Sequence, residues 1–149
     1  MARFRYRMQN ILDIKTQLET QAKMQFAQAQ SRYNGEEKKL AALQERKKYY
    51  VNQSEALRTG ALQVTELREN QRALDRMDEL IKAQILQVRL AQRNLENARE
   101  RLQEVMTDRK THERLKEKAF DAFLEEEKLA ESKEIDQLTS YLYGSKKEE

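Results

Sequence analysis

The chain has 149 residues, 38% of them apolar, 37% charged and 7% aromatic, with no cysteine, no proline and a net charge of only +3. This balance excludes disulfide frameworks and thiolate metal sites, and it is poor in core-forming side chains but rich in helix formers, the composition of long helices or a coiled coil. Disorder competes at such charge content, but a strict apolar period opposes it.

The opening, MARFRYRMQN, is basic, with Arg3, Arg5 and Arg7 alternating with Phe4 and Tyr6, and no apolar run follows it. No stretch approaches the roughly 18 apolar residues of a membrane span. The sequence therefore reads as a soluble, uncleaved cytoplasmic protein without direct membrane insertion.

A first helix is predicted over about residues 4–58, since proline, which costs about 3 kcal/mol inside a helix, is absent. Its seam runs Phe4, Met8, Ile11, Lys15, Leu18, Ala22, Phe26, Ala29, Tyr33, Glu36, Leu40, Leu43, Lys47 and Tyr50. Steps of four and three alternate except near Ala22, where two steps of four make a stutter that unwinds a supercoil locally. Gly35 falls inside this pattern and reads as a tolerated helical glycine, at a cost of about 1 kcal/mol.

Gly60, in EALRTGALQV, sits between the two periodic stretches. Lacking a Cβ, glycine enters left-handed backbone conformations readily, so a turn is expected over residues 59–61. A second helix follows over about residues 62–142. Leu67, Leu74, Ile81, Val88, Leu95 and Leu102 recur every seventh residue, and Met77, Ala91, Ala98 and Val105 lie three residues after members of that series, a seam of about six heptads. A short polar tail is expected over residues 144–149.

Two seams flanking a glycine predict an all-α fold, a single antiparallel coiled-coil hairpin domain over residues 1–149. Leu18 with Leu102, Ala22 with Ala98, Ala29 with Ala91 and Leu43 with Met77 are placed symmetrically about Gly60. Leu40 with Ile81, Phe26 with Leu95 and Tyr33 with Val88 miss symmetry by one residue. The facing alanines would let the helices approach closely. Near the turn the seam is polar: Glu36 faces Gln84, Lys47 faces Leu74 and Tyr50 faces Asn70, which weakens pairing but fixes register.

At 1.5 Å per residue the first arm spans roughly 80 Å and the second roughly 120 Å. The second helix should overhang, leaving Phe120, Phe123, Leu124, Leu129, Ile135, Leu138 and Tyr141 with nothing in the chain to cover them, a partner-binding feature. Tyr49, Leu80, Ile85, Leu86 and Leu90 lie off the seam nearer the turn. They are either scattered surface residues or, around Tyr49, Tyr50, Met77 and Leu80, a second binding surface.

No catalytic, cofactor or metal site is expected. His112 is the only histidine and no glycine-rich phosphate loop occurs, so two-histidine metal motifs are excluded. His112 falls on the seam opposite Met8, a packing position. Glu125, Glu126 and Glu127 read as a solvated face without a cleft to shift their pKa values. Three arginines make a weak counterion-release term and no basic stripe continues from them, so no nucleic-acid partner is expected.

The opening FRYRMQNILDIKTQLE, the turn LRTGALQVTELRENQ and the late segment ERLKEKAFDAFLEEEKLAESKEIDQL occur in the order and at the distances that make the chain resemble the FliJ family of flagellar export proteins. Glu113, Arg114, Lys116, Glu117, Phe120, Phe123, Glu127, Lys133, Glu134 and Asp136 carry the more specific part of the match. The resemblance implies a non-enzymatic coiled coil, similar to the central shaft of rotary ATPases, acting in type III export, flagellum biogenesis, motility and chemotaxis. It implies contact with the hexameric flagellar ATPase through Phe4, Met8, Ile11, Phe120, Phe123, Glu127, Lys133 and Asp136. It implies contact with the cytoplasmic domain of the membrane export gate through Leu43, Tyr49, Tyr50, Met77 and Leu80. Ala73 and Gln84 fall on the same surface by position but depart from the larger, aromatic or histidine side chains of some relatives. Export chaperones are further expected partners, the expected location is the cytoplasmic face of the cell membrane, and the free chain is expected to be a monomer. A coiled-coil oligomeric scaffold and an injectisome stalk protein are the alternatives.

Overall fold

The computed structural model describes the chain except residues 1, 62, 148 and 149 and the side chains of residues 146 and 147. Two helices, α1 (Gln9–Thr59) and α2 (Val64–Lys147), make up the fold, packed against each other as the hairpin predicted from the two seams. No strand occurs among the described residues. The chain falls into two compact units, one of Met1–Thr20 with Glu104–Glu149 and one of Gln21–Gln103.

In the unit of Gln21–Gln103 the predicted seam is the observed one. Ala22, Met77, Ala91 and Leu95 are buried, and Phe26, Ala29, Tyr33, Leu40, Leu43, Leu67, Leu74, Ile81, Val88 and Ala98 are half-buried. The polar positions set the register by directed hydrogen bonds, as Gly60-centred pairing requires. Gln84 Nε2 donates to the Glu36 carbonyl at 2.9 Å and to its carboxylate at 2.6 Å, and Asn70 Nδ2 donates to the Tyr50 carbonyl at 3.1 Å. Asn70 is itself buried, so a slipped register would strand its amide without a partner.

The connection departs from expectation in its backbone. Among the described residues no glycine has positive φ, so the turn at Gly60 is made without the left-handed conformation. The helix ends supply their own closure. Thr59 Oγ1 donates to the Ala56 carbonyl, Arg58 lies in the last turn of α1, and Glu66 in the first turn of α2, each charge favourably placed on the helix dipole. The expected start of the second helix, residue 62, lies outside the described residues.

In the other unit the expected start of the first helix near Phe4 is corrected: residues 2–6 are not helical, and α1 begins at Gln9. The Met8 carbonyl accepts from the amides of both Ile11 and Leu12, so Met8 sits at the helix mouth rather than on a formed face. In consequence Met8 and Ile11 are exposed, at 48% and 38%, and Leu12 is buried in their place at 6%. His112 is half-buried as expected. The second helix also continues past 142 to Lys147, into the segment expected as a polar tail, the last two residues of which lie outside the described set.

Candidate partner-binding surfaces

The non-helical start brings Phe4 onto α2. Its ring meets Phe120 edge-on at 5.1 Å and Phe123 at 5.4 Å, and Phe120 and Phe123 stack at 6.5 Å. The expectation that nothing in the chain covers these two phenylalanines is therefore corrected. Aromatic pairs contribute about 0.5–1.5 kcal/mol beyond area burial, which favours this cluster over extending α1 by another turn. Phe120 keeps 42% of its surface in solvent, so the cluster is half open.

Beyond Glu127 the covering stops: every residue from 128 to 145 is exposed. Leu124, Ile135, Leu138 and Leu142 recur at helical spacing along one side of α2 and are 42% to 62% exposed, continuing the side that carries Phe120. Among the residues expected to meet the ATPase, Phe4, Phe120 and Phe123 are brought together and Glu127 is half-buried beside them in sequence. Lys133 and Asp136 are exposed, but at 100° per residue they fall on the opposite side of α2 from Leu138 and Leu142. The eight residues do not form one face.

Inward of the aromatic cluster the same unit is held by charge. Lys15 Nζ lies 2.7 Å from Asp108 Oδ2, and Arg109 pairs through Nε with the buried Glu19 and through Nη1 with Glu113 at 2.7 Å. The Lys15 ammonium holds the Asp108 carboxyl below the usual range against partial burial. Glu113, and then Glu19, raise the Arg109 pKa, keeping it charged. His112 Nε2 stands 3.6 Å from Asp108 Oδ1, and its buried Nδ1 makes no hydrogen bond.

In the unit of Gln21–Gln103 a groove runs between the helices, lined by Tyr50, Met77 and Leu80 and by Arg46, Arg72 and Arg76. It continues towards the turn through Tyr50 and Ala73 into a stretch lined by Glu66 and Glu69. Tyr49 is 62% exposed and packs edge-on against Tyr50 at 5.6 Å. Of the residues expected to meet the export gate, Tyr49 and Leu80 are open, Tyr50 is half-buried, Leu43 is a half-buried seam residue, and Met77 is only 4% exposed. Gln84 is engaged with Glu36. The three arginines were not singled out by sequence reasoning. The signal was present in the four-residue spacings of Arg72 to Arg76 and Arg46 to Tyr50, which put each pair on one helix face.

Among the described residues no group of His, Cys, Asp or Glu is arranged to hold a metal ion, and no helix is long and apolar enough to cross a membrane. The family model described as Flagellar FliJ protein matches the chain over residues 4–148. No curated protein and no solved structure matches it.

Proposed function

The chain belongs to the FliJ family and is thus a flagellar export-related protein, and from that premise we propose that it connects the hexameric export ATPase to the cytoplasmic domain of the export gate. One observation carries the reading: apolar surface is left open in two separate places, on α2 from Phe120 to Leu142 and in the Tyr50–Leu80 groove. Two sites on one chain are what a connector needs. The ATPase takes the end with Phe4, Phe120 and Phe123, with Met8 and Ile11 exposed for the same partner. The gate takes Tyr49, Tyr50 and Leu80, with Leu43 and Met77 as support. The chain works in the cytoplasm at the inner face of the membrane, passes export chaperones to the same machinery and performs no catalysis itself.

The mechanism follows from symmetry. One chain in a six-fold ring presents a different surface to each subunit, so it stabilises some nucleotide states over others, and a ligand shifts an equilibrium only by such differential binding. The charged sides of the helices keep water, so turning or leaving the ring carries no large desolvation cost.

Phe120→Ala with Phe123→Ala should weaken pull-down by the ATPase ring and its stimulation, and Tyr50→Ala with Leu80→Ala should weaken binding of the gate domain, both with helicity retained by circular dichroism. Unchanged capture by the ring sinks the first assignment, and unchanged gate affinity the second. The open stripe of Leu124, Ile135, Leu138 and Leu142 also fits a scaffold in which two chains pair there. Sedimentation over a range of concentrations distinguishes the two, a constant monomer mass supporting the connector.

A further inference from the structure

Residues 2–6 precede α1 without helix, and burial alternates along the start of the chain: Arg3, Arg5 and Arg7 are exposed, while Phe4 and Tyr6 are half-buried. A period of two is that of an extended segment with one edge laid on a surface. For Phe4 that surface is α2, where its ring meets Phe120 at 5.1 Å and Phe123 at 5.4 Å. A turn joins the segment to α1, the Gln9 amide donating to the Tyr6 carbonyl at 3.2 Å. Arg3, Arg5 and Arg7 make no ion pair with another described residue, so the ring contact is the main tie.

The same residues also spell a helix. The chain has no proline and Gly35 is its first glycine, so nothing in the backbone forbids an earlier start to α1. Wound as helix, Phe4, Met8 and Ile11 would share one side at spacings of four and three, and Tyr6 would leave it. In the structure that side is unmade, with Met8 and Ile11 48% and 38% exposed. Winding also shortens the segment, because a helical residue advances about 1.5 Å and an extended one up to about 3.3 Å. Between Gln9 and Phe4 the difference reaches about 9 Å, more than one turn of α2, enough to draw the ring off Phe120 and Phe123.

We propose that residues 2–8 are a self-masking strap: Phe4 occupies the place on Phe120 and Phe123 that the ATPase ring takes, and the strap lifts, winding onto α1, before the ring seats. This rests on reading the aromatic end as the ATPase site and adds how that site is opened. Phe120 keeps 42% of its surface in solvent under the strap, so a larger apolar partner has a foothold from which to displace a single ring. A docked strap lowers the apparent affinity for the ring by the fraction of chains in which the site is open.

The test uses the full-length protein, the assembled ATPase ring, and fluorine NMR of protein labelled with 4-fluorophenylalanine at its four phenylalanines. In the free protein Phe4→Ala should move the Phe120 and Phe123 signals and leave that of Phe26. Signals that ignore the loss of Phe4 overturn the docking itself. Phe4→Ala should bind the ring about three- to tenfold tighter, as a strap docked in roughly two thirds to nine tenths of free chains requires. If its affinity is unchanged or lower while Phe120→Ala with Phe123→Ala still weakens binding, the strap is overturned and the site stands. If Phe4→Ala binds tighter but the phenylalanine pair can be removed without loss, the site assignment falls and the strap stands as a cover over neighbouring surface. If neither change acts in the expected direction, both fall.

Discussion

Glycine and aspartate give the sharpest residue-scale tests. A Cβ added at Gly35 would meet nothing within 4 Å, and the residue is mid-helix in α1. Gly35→Ala should therefore stabilise the protein by about 1 kcal/mol, a rise in Tm of roughly 2–4 °C for a chain of this size. Gly60→Ala meets the same open space without positive φ, so it should leave Tm nearly unchanged, contrary to what a left-handed turn would give. Asp108 adds a pH dependence. Its folded pKa is depressed by Lys15, so its contribution is fully present above the unfolded value of about 3.9 and is lost as pH falls through the folded value. In Asp108→Asn that loss disappears. The stability gap between the two proteins, from urea unfolding at successive pH values, should be constant above about pH 5 and close below about pH 4. Seam identity was legible in the sequence at this scale because spacing alone sets it. The exposure of Met8 and Ile11 was not, because it depends on where the first helical hydrogen bonds form, and Phe4 docking on Phe120 and Phe123 decides that.

Helix α2 is unevenly supported along its length. Between Asn70 and Val105 it contributes buried residues at Asn70, Met77, Ala91, Leu95 and Val105, whereas from 128 to 145 no side chain is covered. A helical stretch of about 20 residues without tertiary contacts is marginal in water. Oppositely charged pairs four apart would help by about 0.2–0.5 kcal/mol each. From Glu125 to Leu142 the sequence has none, only Glu125–Lys128, Lys128–Glu131 and Lys133–Asp136 three apart, and Glu127 with Glu131 is a like-charge pair. In hydrogen–deuterium exchange, amides of 128–147 should exchange well before those of 70–105 in the free protein, and should become protected when the ATPase ring is added. Equal protection of both segments in the free protein would mean that something already covers the open stripe. The period-seven leucines foretold α2 and its uncovered end because both follow from counting residues against 1.5 Å of rise. The arginines of the groove escaped notice because the spacings put Arg72 with Arg76 and Arg46 with Tyr50, whereas the groove exists only once the register of the two helices sets Arg46 beside Arg72 and Arg76.

At the scale of the whole molecule, a net charge of +3 on 55 ionised side chains leaves little long-range field, so overall electrostatic steering contributes little to partner choice. The proposed coupling depends on one chain serving one ring. A single polypeptide has no rotational symmetry, while a hexamer offers equivalent sites, so the first chain bound in the pore breaks the equivalence and excludes a second from the same space. ATPase stimulation should then rise with added protein and level off at one chain per ring. Titrating the chain into a fixed amount of assembled ATPase, with turnover and bound stoichiometry read on the same samples, checks this. Saturation at six chains per ring would mean that each subunit is met by its own copy on the outside, and the asymmetric coupling would have to be given up even if both partner surfaces were correctly assigned.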